Sequence, residues 1–329
     1  MVNYLNIIRW KNLLFIILIQ WLIQHAVVFP ILQTYGFDLL QSTHLGYMLI
    51  IATVLVAAGG YVINNYFDVK IDMINKPEKM IIVAGKISKK AAMRYYQFIS
   101  GLGIVLGLIV AFTLKSFSLA FIFILTPGLL WFYSASYKRQ FIWGNLVVSL
   151  LASLTVFSVG ILEVAILKIQ YGSLIYQTYI PQTIYGWTGG FAFFAFLCTW
   201  IREIIKDMED ENGDREMECR TMPIKWGVKK TKIFLYGLIT VTIASLFFFY
   251  FRYIHFEGTL TFRYILFGLV IPLFVLAYLI FKATLPVDFR QASTLSKFIM
   301  LIGILYSIFF YYLEAKMYNL TFFGLFIIK

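Results

Sequence analysis

The sequence predicts an all-α polytopic membrane protein: nine transmembrane helices enclosing a central cavity, with the N-terminus cytoplasmic. Three observations lead there. Of 329 residues, 61% are hydrophobic and 13% charged, where a soluble domain carries about 25% charged residues. Apolar stretches of about 20 residues, the length that crosses a bilayer, recur along the whole chain. The basic residues between those stretches are distributed one-sidedly. Because the stretches run from end to end, the chain reads as one membrane-embedded domain, 1–329, rather than two soluble ones.

The first stretch, 12–32, follows Arg9 and Lys11 without a small-residue cleavage site. It therefore reads as a first membrane helix and not as a removed signal peptide. The second, 46–67, runs into a polar segment rich in Asn and Asp. The third and fourth cover 94–114 and 117–134, and the fifth covers 144–166. The sixth, 184–205, ends in an acidic run, and 232–251, 264–283 and 295–315 complete the set. Pro30, Pro127 and Pro272 fall inside spans and predict kinks, which membrane helices tolerate. The tail Met317–Lys329 is apolar but too short to cross.

Charge placement tests that count. With nine spans and the N-terminus inside, 22 of the 28 Lys and Arg residues lie on the inner side. Only Lys115, Lys168, Arg252, Arg263, Lys316 and Lys329 lie outside, the asymmetry expected of cytoplasmic loops. The net charge of +12 is thus a topology and lipid-headgroup signal, and nucleic acid is not an expected partner. Cys198 and Cys219 are too few for a disulfide framework and read as free thiols. His25, His44 and His255 are scattered towards the outer side and receive no role. Gln20, Gln24 and Glu163, within or near spans, read as interhelical hydrogen-bonding groups.

The acids are the unusual feature. Eight of the 16 Asp and Glu residues lie between Glu203 and Glu218, and charges beside a span are costly unless they face a cavity or an ion. Asn64, Asp68 and Asp72 are spaced i, i+4, i+8, which puts all three on one helix face. Asp207, Asp210 and Asp214, spaced i, i+3, i+7, again share a face. Both sets fall on the inner side, so two carboxylate walls are expected across one pocket mouth. Like charges at such spacing call for cations. Mg2+ suits them, since it takes oxygen ligands, keeps waters and bridges carboxylates to phosphate oxygens. Arg202, Lys206, Lys138 and Arg139 stand ready for remaining phosphate charge. Glu209, Glu211, Glu216 and Glu218 read as a solvated face.

These motifs resemble those of the UbiA-type intramembrane prenyltransferases. Asn64-x-x-x-Asp68-x-x-x-Asp72, followed by Asn75-Lys76-Pro77 and Gly85-Lys86-Ile87-Ser88, is similar to the family's first signature. Arg202-Glu203-Ile204-Ile205-Lys206-Asp207-x-x-Asp210-x-x-Gly213-Asp214, with Thr221-Met222-Pro223 and Trp226-Gly227, is similar to the second. Tyr133-Ser134, Lys138-Arg139 and Gly144-Asn145 resemble the loop signature between them, and Arg9 and Asn12 the Arg-x-x-Asn element of the first helix. The likeness covers nearly the whole chain in order. One departure is Lys79-Met80, where close relatives usually have Arg-Pro.

The resemblance implies Mg2+-dependent ionisation of an isoprenyl diphosphate and transfer of its prenyl group to a lipophilic acceptor. Asp68, Asp72, Asp207, Asp210 and Asp214 would hold the metal, with Asn64 orienting a carboxylate or coordinating beside it. Arg9, Asn12, Tyr133, Ser134, Lys138, Arg139, Asn145, Arg202 and Lys206 would bind the diphosphate. Tyr66, Phe67 and Tyr133 are best placed to flank an allylic cation. The form of the second motif is most similar to members that alkylate geranylgeranylglyceryl phosphate; aromatic acceptors of quinone synthesis are the runner-up. The chain is expected in the cell membrane, multi-pass and among membrane lipid, with its active site facing the cytoplasm. A transporter would place its charges at the midplane on interrupted helices, and a scaffold has no use for two chelating motifs.

Overall fold

The computed structural model describes residues 2–37, 40–75, 82 and 87–327, with side chains throughout except at 2, 40–42 and 70–75. Lys79-Met80 and the segment Lys76-Pro77 lie outside the described residues. The helices are α1 (Val2–Ile7), α2 (Trp10–Leu22), α3 (Phe29–Thr34), α4 (Leu40–Asn75), α5 (Lys89–Thr113), α6 (Phe117–Ala135) and α7 (Trp143–Tyr171). They continue as α8 (Ile180–Glu209), α9 (Glu211–Glu216), α10 (Met222–Trp226), α11 (Val228–Tyr253), α12 (Leu260–Arg263), α13 (Ile271–Lys282) and α14 (Pro286–Tyr318). A small antiparallel hairpin pairs Thr321–Phe322 with Phe326–Ile327.

Among the described residues, nine helical stretches are long and apolar enough to cross a membrane. Each predicted span coincides with one of them, so the protein is an all-α polytopic membrane protein. Several helices outrun the apolar core: the second span is the middle of a 36-residue helix, and the ninth begins at Pro286. Local chemistry sets these ends. The Ser88 and Ser116 hydroxyls accept from the amides of Ala91 and Leu119 at the starts of α5 and α6, satisfying donors that a helix N-terminus leaves orphaned. Asp288 Oδ2 accepts from the Thr284 and Leu285 amides, both at 2.9 Å, ahead of α14. Gly227, at φ 79°, makes the turn between α10 and α11 that a side chain would disfavour.

The prolines act through the backbone around them. Pro30 follows a π-helical turn over Ile23–Val28, and Pro272 follows another over Tyr264–Val270. A proline ring clashes with the carbonyl four residues back. That carbonyl belongs to Ala26 in one case and Gly268 in the other, both inside the widened turn. The wide turn carries the helix past the proline without ending the span.

The chain divides into two compact units: Met1–Tyr137 with Ser153–Ala192, and Lys138–Ala152 with Phe193–Lys329. Helices α7 and α8 contribute residues to both. In the first unit, α4, α5 and α6 pack through glycines. A Cβ at Gly103 would meet the Val56 backbone nitrogen at 2.9 Å, and one at Gly107 would run into the Phe123 ring. Small residues at such crossings are what close packing between helices in a bilayer needs. The interhelical hydrogen bonds expected of the polar residues within the spans are present in this unit. Gln24 Nε2 donates to Glu163 Oε1 at 3.0 Å, and Gln20 Nε2 to the Thr155 carbonyl at 3.0 Å. The core of the second unit joins Ile201, Ile204, Ile205 and Met208 of α8 to Leu235, Leu238 and Ile239 of α11. Leu273, Leu276 and Ile280 of α13 and Phe289 of α14 complete it. Cys198 and Cys219 are free thiols.

Candidate active site

In the first unit the site is built on the last turns of α4. Asn64 and Asp68 lie one turn apart, and the helix continues through Asp72, whose side chain is outside the described ones. Asp68 is only 6% exposed. Asn64 Oδ1 is buried with no hydrogen-bond partner among the described residues, an orphaned acceptor of the kind a cation or a ligand donor satisfies. Asn65, unassigned from sequence, donates to the Ile7 carbonyl at 3.0 Å and to Tyr61 O at 2.8 Å, pinning the end of α1 to α4. The next break, between α1 and α2, falls at Arg9, which sits in the left-handed region at φ 51°. That conformation costs a non-glycine residue roughly 1–2 kcal/mol. The Arg9 guanidinium lies 5.4 Å from the Tyr61 ring centroid, one turn below Asn64 and Asn65. Asn12 is half-buried on the following turn, its amide bonded to Arg9 O at 2.8 Å.

The aromatic residues near α4 are engaged with one another. Tyr66 meets Phe67 edge-on at 5.3 Å and carries Lys89 Nζ 5.9 Å from its ring centroid. Phe67 meets Trp131 at 5.5 Å and 90°, so Trp131 joins the group that the sequence assigned to Tyr66, Phe67 and Tyr133. Tyr133 is half-buried. Ser134 is fully buried and donates to Leu130 O at 2.8 Å, which commits its proton to the helix.

In the second unit, α8 carries Arg202, Glu203, Lys206 and Asp207. It stops at Glu209, and α9 starts after Asp210. The amides of Asp210 and Asp214 bond to Lys206 O and Asp210 O, at 2.9 and 3.1 Å. The i→i−4 pattern thus crosses the break and preserves the helical spacing of the three aspartates. Asp207 stands within Coulombic reach of Asp214, Glu203 and Lys206. Asn145, in the first turn of α7, donates Nδ2 to Asp207 Oδ2 at 2.9 Å. Glu203, 8% exposed, binds both neighbouring bases: Arg202 Nη1 at 2.8 Å, and Lys206 Nζ at 2.9 and 3.1 Å. The two cations assigned to a diphosphate are therefore held by a carboxylate that sequence reasoning left without a role.

A short 3₁₀ turn, Tyr137–Arg139, brings in Lys138 and Arg139, and the Arg220 amide bonds to Arg139 O at 2.8 Å. Cys219 reports how these groups converge. Burial pushes its thiol up from the ordinary range, Asp214 and Asp207 push the same way, and Arg139 and Lys138 oppose them. All four charges thus lie close enough to act on one buried thiol. The Nε groups of Arg139 and Arg202 are buried donors with no hydrogen-bond partner among the described residues, and the Thr221 hydroxyl is a third such group. Glu209 departs from the solvated face expected of it: its side chain, 9% exposed, accepts from Arg290 Nε at 3.0 Å. Among the described residues, no three His, Cys, Asp or Glu side chains gather closely enough to hold a metal ion by themselves. The donor set is carboxylate and amide oxygen, which suits a hard cation that keeps much of its water.

Among the described residues, nine apolar helices with an acidic motif on α4 and a second on α8 and α9 define a multi-pass membrane protein. The model of the UbiA prenyltransferase family matches residues 27–312, and the chain belongs to that family. It is 31% identical over 194 residues to the digeranylgeranylglyceryl phosphate synthase of Methanobrevibacter smithii, covering 59% of this chain and 62% of that protein. It is 30% identical over 223 residues to the synthase of Sulfolobus acidocaldarius, covering 67% and 72%. The chain thus spans less than two thirds of the length of the Methanobrevibacter relative. Among solved structures, it superposes on one of a digeranylgeranylglyceryl phosphate synthase with a TM-score of 0.61 at 24% identity, covering 95% of this chain and 97% of that one. A UbiA homologue from Archaeoglobus fulgidus, solved bound to DMAPP and Mg2+, gives 0.54 at 14% identity, covering 92% and 97%.

Proposed function

We propose that the protein transfers the prenyl group of an isoprenyl diphosphate to geranylgeranylglyceryl phosphate, with Mg2+ as cofactor and 1–329 working as one membrane-embedded domain. The observation that carries this reading is the charge arrangement of the second unit. Three aspartates keep helical spacing, two of them, Asp207 and Asp214, act on the same thiol as Lys138 and Arg139, and Arg202 and Lys206 are held on Glu203. Buried arginine donors without acceptors are what a bound phosphate satisfies. The names of the relatives support the acceptor, and the ligands of the Archaeoglobus homologue support the donor class and the metal.

Asp68 and Asp72, with Asn64 Oδ1 as a further oxygen, and separately Asp207, Asp210 and Asp214 would hold Mg2+ ions, directly or through waters. Bound there, Mg2+ supplies positive charge to the diphosphate as it departs. Lys138, Arg139, Arg202 and Lys206 bind and orient that diphosphate and stabilise the charge that grows on it. The allylic C–O bond breaks and the diphosphate leaves with the electron pair. A glycerol hydroxyl oxygen then forms the new C–O bond and loses its proton. The site faces the cytoplasm, on the side where the basic loops collect. The test is mass spectrometry of products from the purified protein, geranylgeranyl diphosphate and a panel of glycerol-phosphate and aromatic acceptors. An O-alkylated glycerol phosphate is expected; a ring-alkylated aromatic product would replace the acceptor assignment.

A further inference from the structure

We propose that Asn145 is a positioning residue, one that fixes the Asp207 carboxylate for a divalent cation rather than contacting the diphosphate. This rests on the active-site reading above. The Asn145 side-chain nitrogen lies 2.9 Å from Asp207 Oδ2. A carboxylate only accepts, so the donor must be the amide NH2. Asn145 is 5% exposed, so its side chain offers solvent or an incoming ligand little surface.

The backbone around Asn145 is equally committed. Ile142 takes a positive φ of 65°, Trp143 N bonds to Phe141 O at 2.8 Å and Leu146 N to Ile142 O at 3.0 Å. One turn further, the Ser149 hydroxyl donates to Asn145 O at 2.6 Å. The start of α7 is thereby fixed, and with it the direction of the amide.

The choice of an amide follows from the charges around Asp207. Asp214 and Glu203 both act on it through space, and a free carboxylate between two others would swing away from them. A lysine at 145 would hold it but cancel the negative charge a cation needs. A neutral donor holds the carboxylate and leaves that charge in place. Groups that orient a metal ligand from behind typically contribute 10–100-fold to metal affinity.

The test uses the full-length protein in lipid nanodiscs. Mn2+ binding is followed by electron paramagnetic resonance without substrate, alongside Mg2+ titrations of prenyl transfer. Asn145→Ala is expected to weaken Mn2+ binding 10–100-fold and to raise the Mg2+ requirement equally. Turnover should return at saturating Mg2+, with the KM for the isoprenyl diphosphate within about twofold of wild type. Should the alanine variant fail to fold, Asn145→Leu fills the same space without a donor and carries the same expectation. Unchanged Mn2+ affinity with a raised diphosphate KM would overturn the proposal and make Asn145 a substrate ligand. Wild-type protein that binds no Mn2+ and transfers no prenyl group would overturn the active-site reading itself.

Discussion

The buried pair Gln24–Glu163 permits a quantitative test of how the first unit is held together. Both side chains are 1% exposed, and the Gln24 amide donates to Glu163 at 3.0 Å. Replacing Gln24 by Met keeps an unbranched chain of similar length. That matters because Gly46 of α4 packs directly on the Gln24 amide and leaves no room for a branch. The Met variant takes one donor from Glu163 Oε1. Removing a buried partner costs about 1–3 kcal/mol in soluble proteins, but hydrogen bonds between membrane helices average about 0.6 kcal/mol and reach about 1.7. A loss of about 1 kcal/mol is therefore expected, roughly fivefold in the folding equilibrium. Glu163→Met should cost a similar amount, and Glu163→Gln, which still offers Oε1 as acceptor, less than about 0.5 kcal/mol. The double Met variant should lose well less than the sum of the single losses, because neither member of the pair is left stranded by removal of the other. Unfolding in mixed micelles by SDS, followed by tryptophan fluorescence, measures all four. Additive single losses, with coupling under about 0.3 kcal/mol, would refute the assignment of the pair as a mutual anchor.

Asp68→Ala and Asp207→Ala should each lower Mg2+-dependent prenyl transfer by at least about 1,000-fold while leaving the thermal transition of the protein in place; full activity in either would sink the mechanism. Gly107→Ala should destabilise by about 1–3 kcal/mol through the clash with Phe123, read as a lower melting temperature in detergent. Gly237→Ala, where a Cβ meets nothing within 4 Å, should be neutral or stabilising. Single cysteines at Lys89 and Lys225 in a cysteine-free background should react with an impermeant maleimide from the same, cytoplasmic side. Labelling from opposite sides would overturn the shared face of the two motifs.

The spans were legible because an apolar run of about 20 residues declares itself whatever it packs against. The short helix α1 was not: six residues are too few to show a period, and the break after it depends on Arg9 taking a left-handed backbone. The aspartates could be found from spacing alone, since helical period places them on one face. Asn65 could not, because its meaning lies in what it meets, whereas the pairing of Glu203 with Arg202 and Lys206, one and three residues away, was within reach of the same spacing. Asn65 meets a carbonyl 58 residues earlier in the chain. Glu209 reads as surface until Arg290, 81 residues on, arrives beside it. The prolines announced irregularity, but not the change of hydrogen-bond register that absorbs it.

That change of register makes phase a property of the first and eighth spans. A π-helical turn behaves as a one-residue insertion, and one residue of an α-helix is about 100° of rotation. Deleting a single residue from Ile23–Val28 would restore regular pitch and leave Phe29–Thr34 in its present phase against Trp10–Leu22, whereas keeping that residue in an ordinary α-turn would rotate the two about a quarter-circle apart. The wide turn thus keeps the face that presents Gln20 and Gln24 in phase with the face beyond Pro30. Homologues that lack the extra residue should show their apolar pattern beyond the proline shifted by one position.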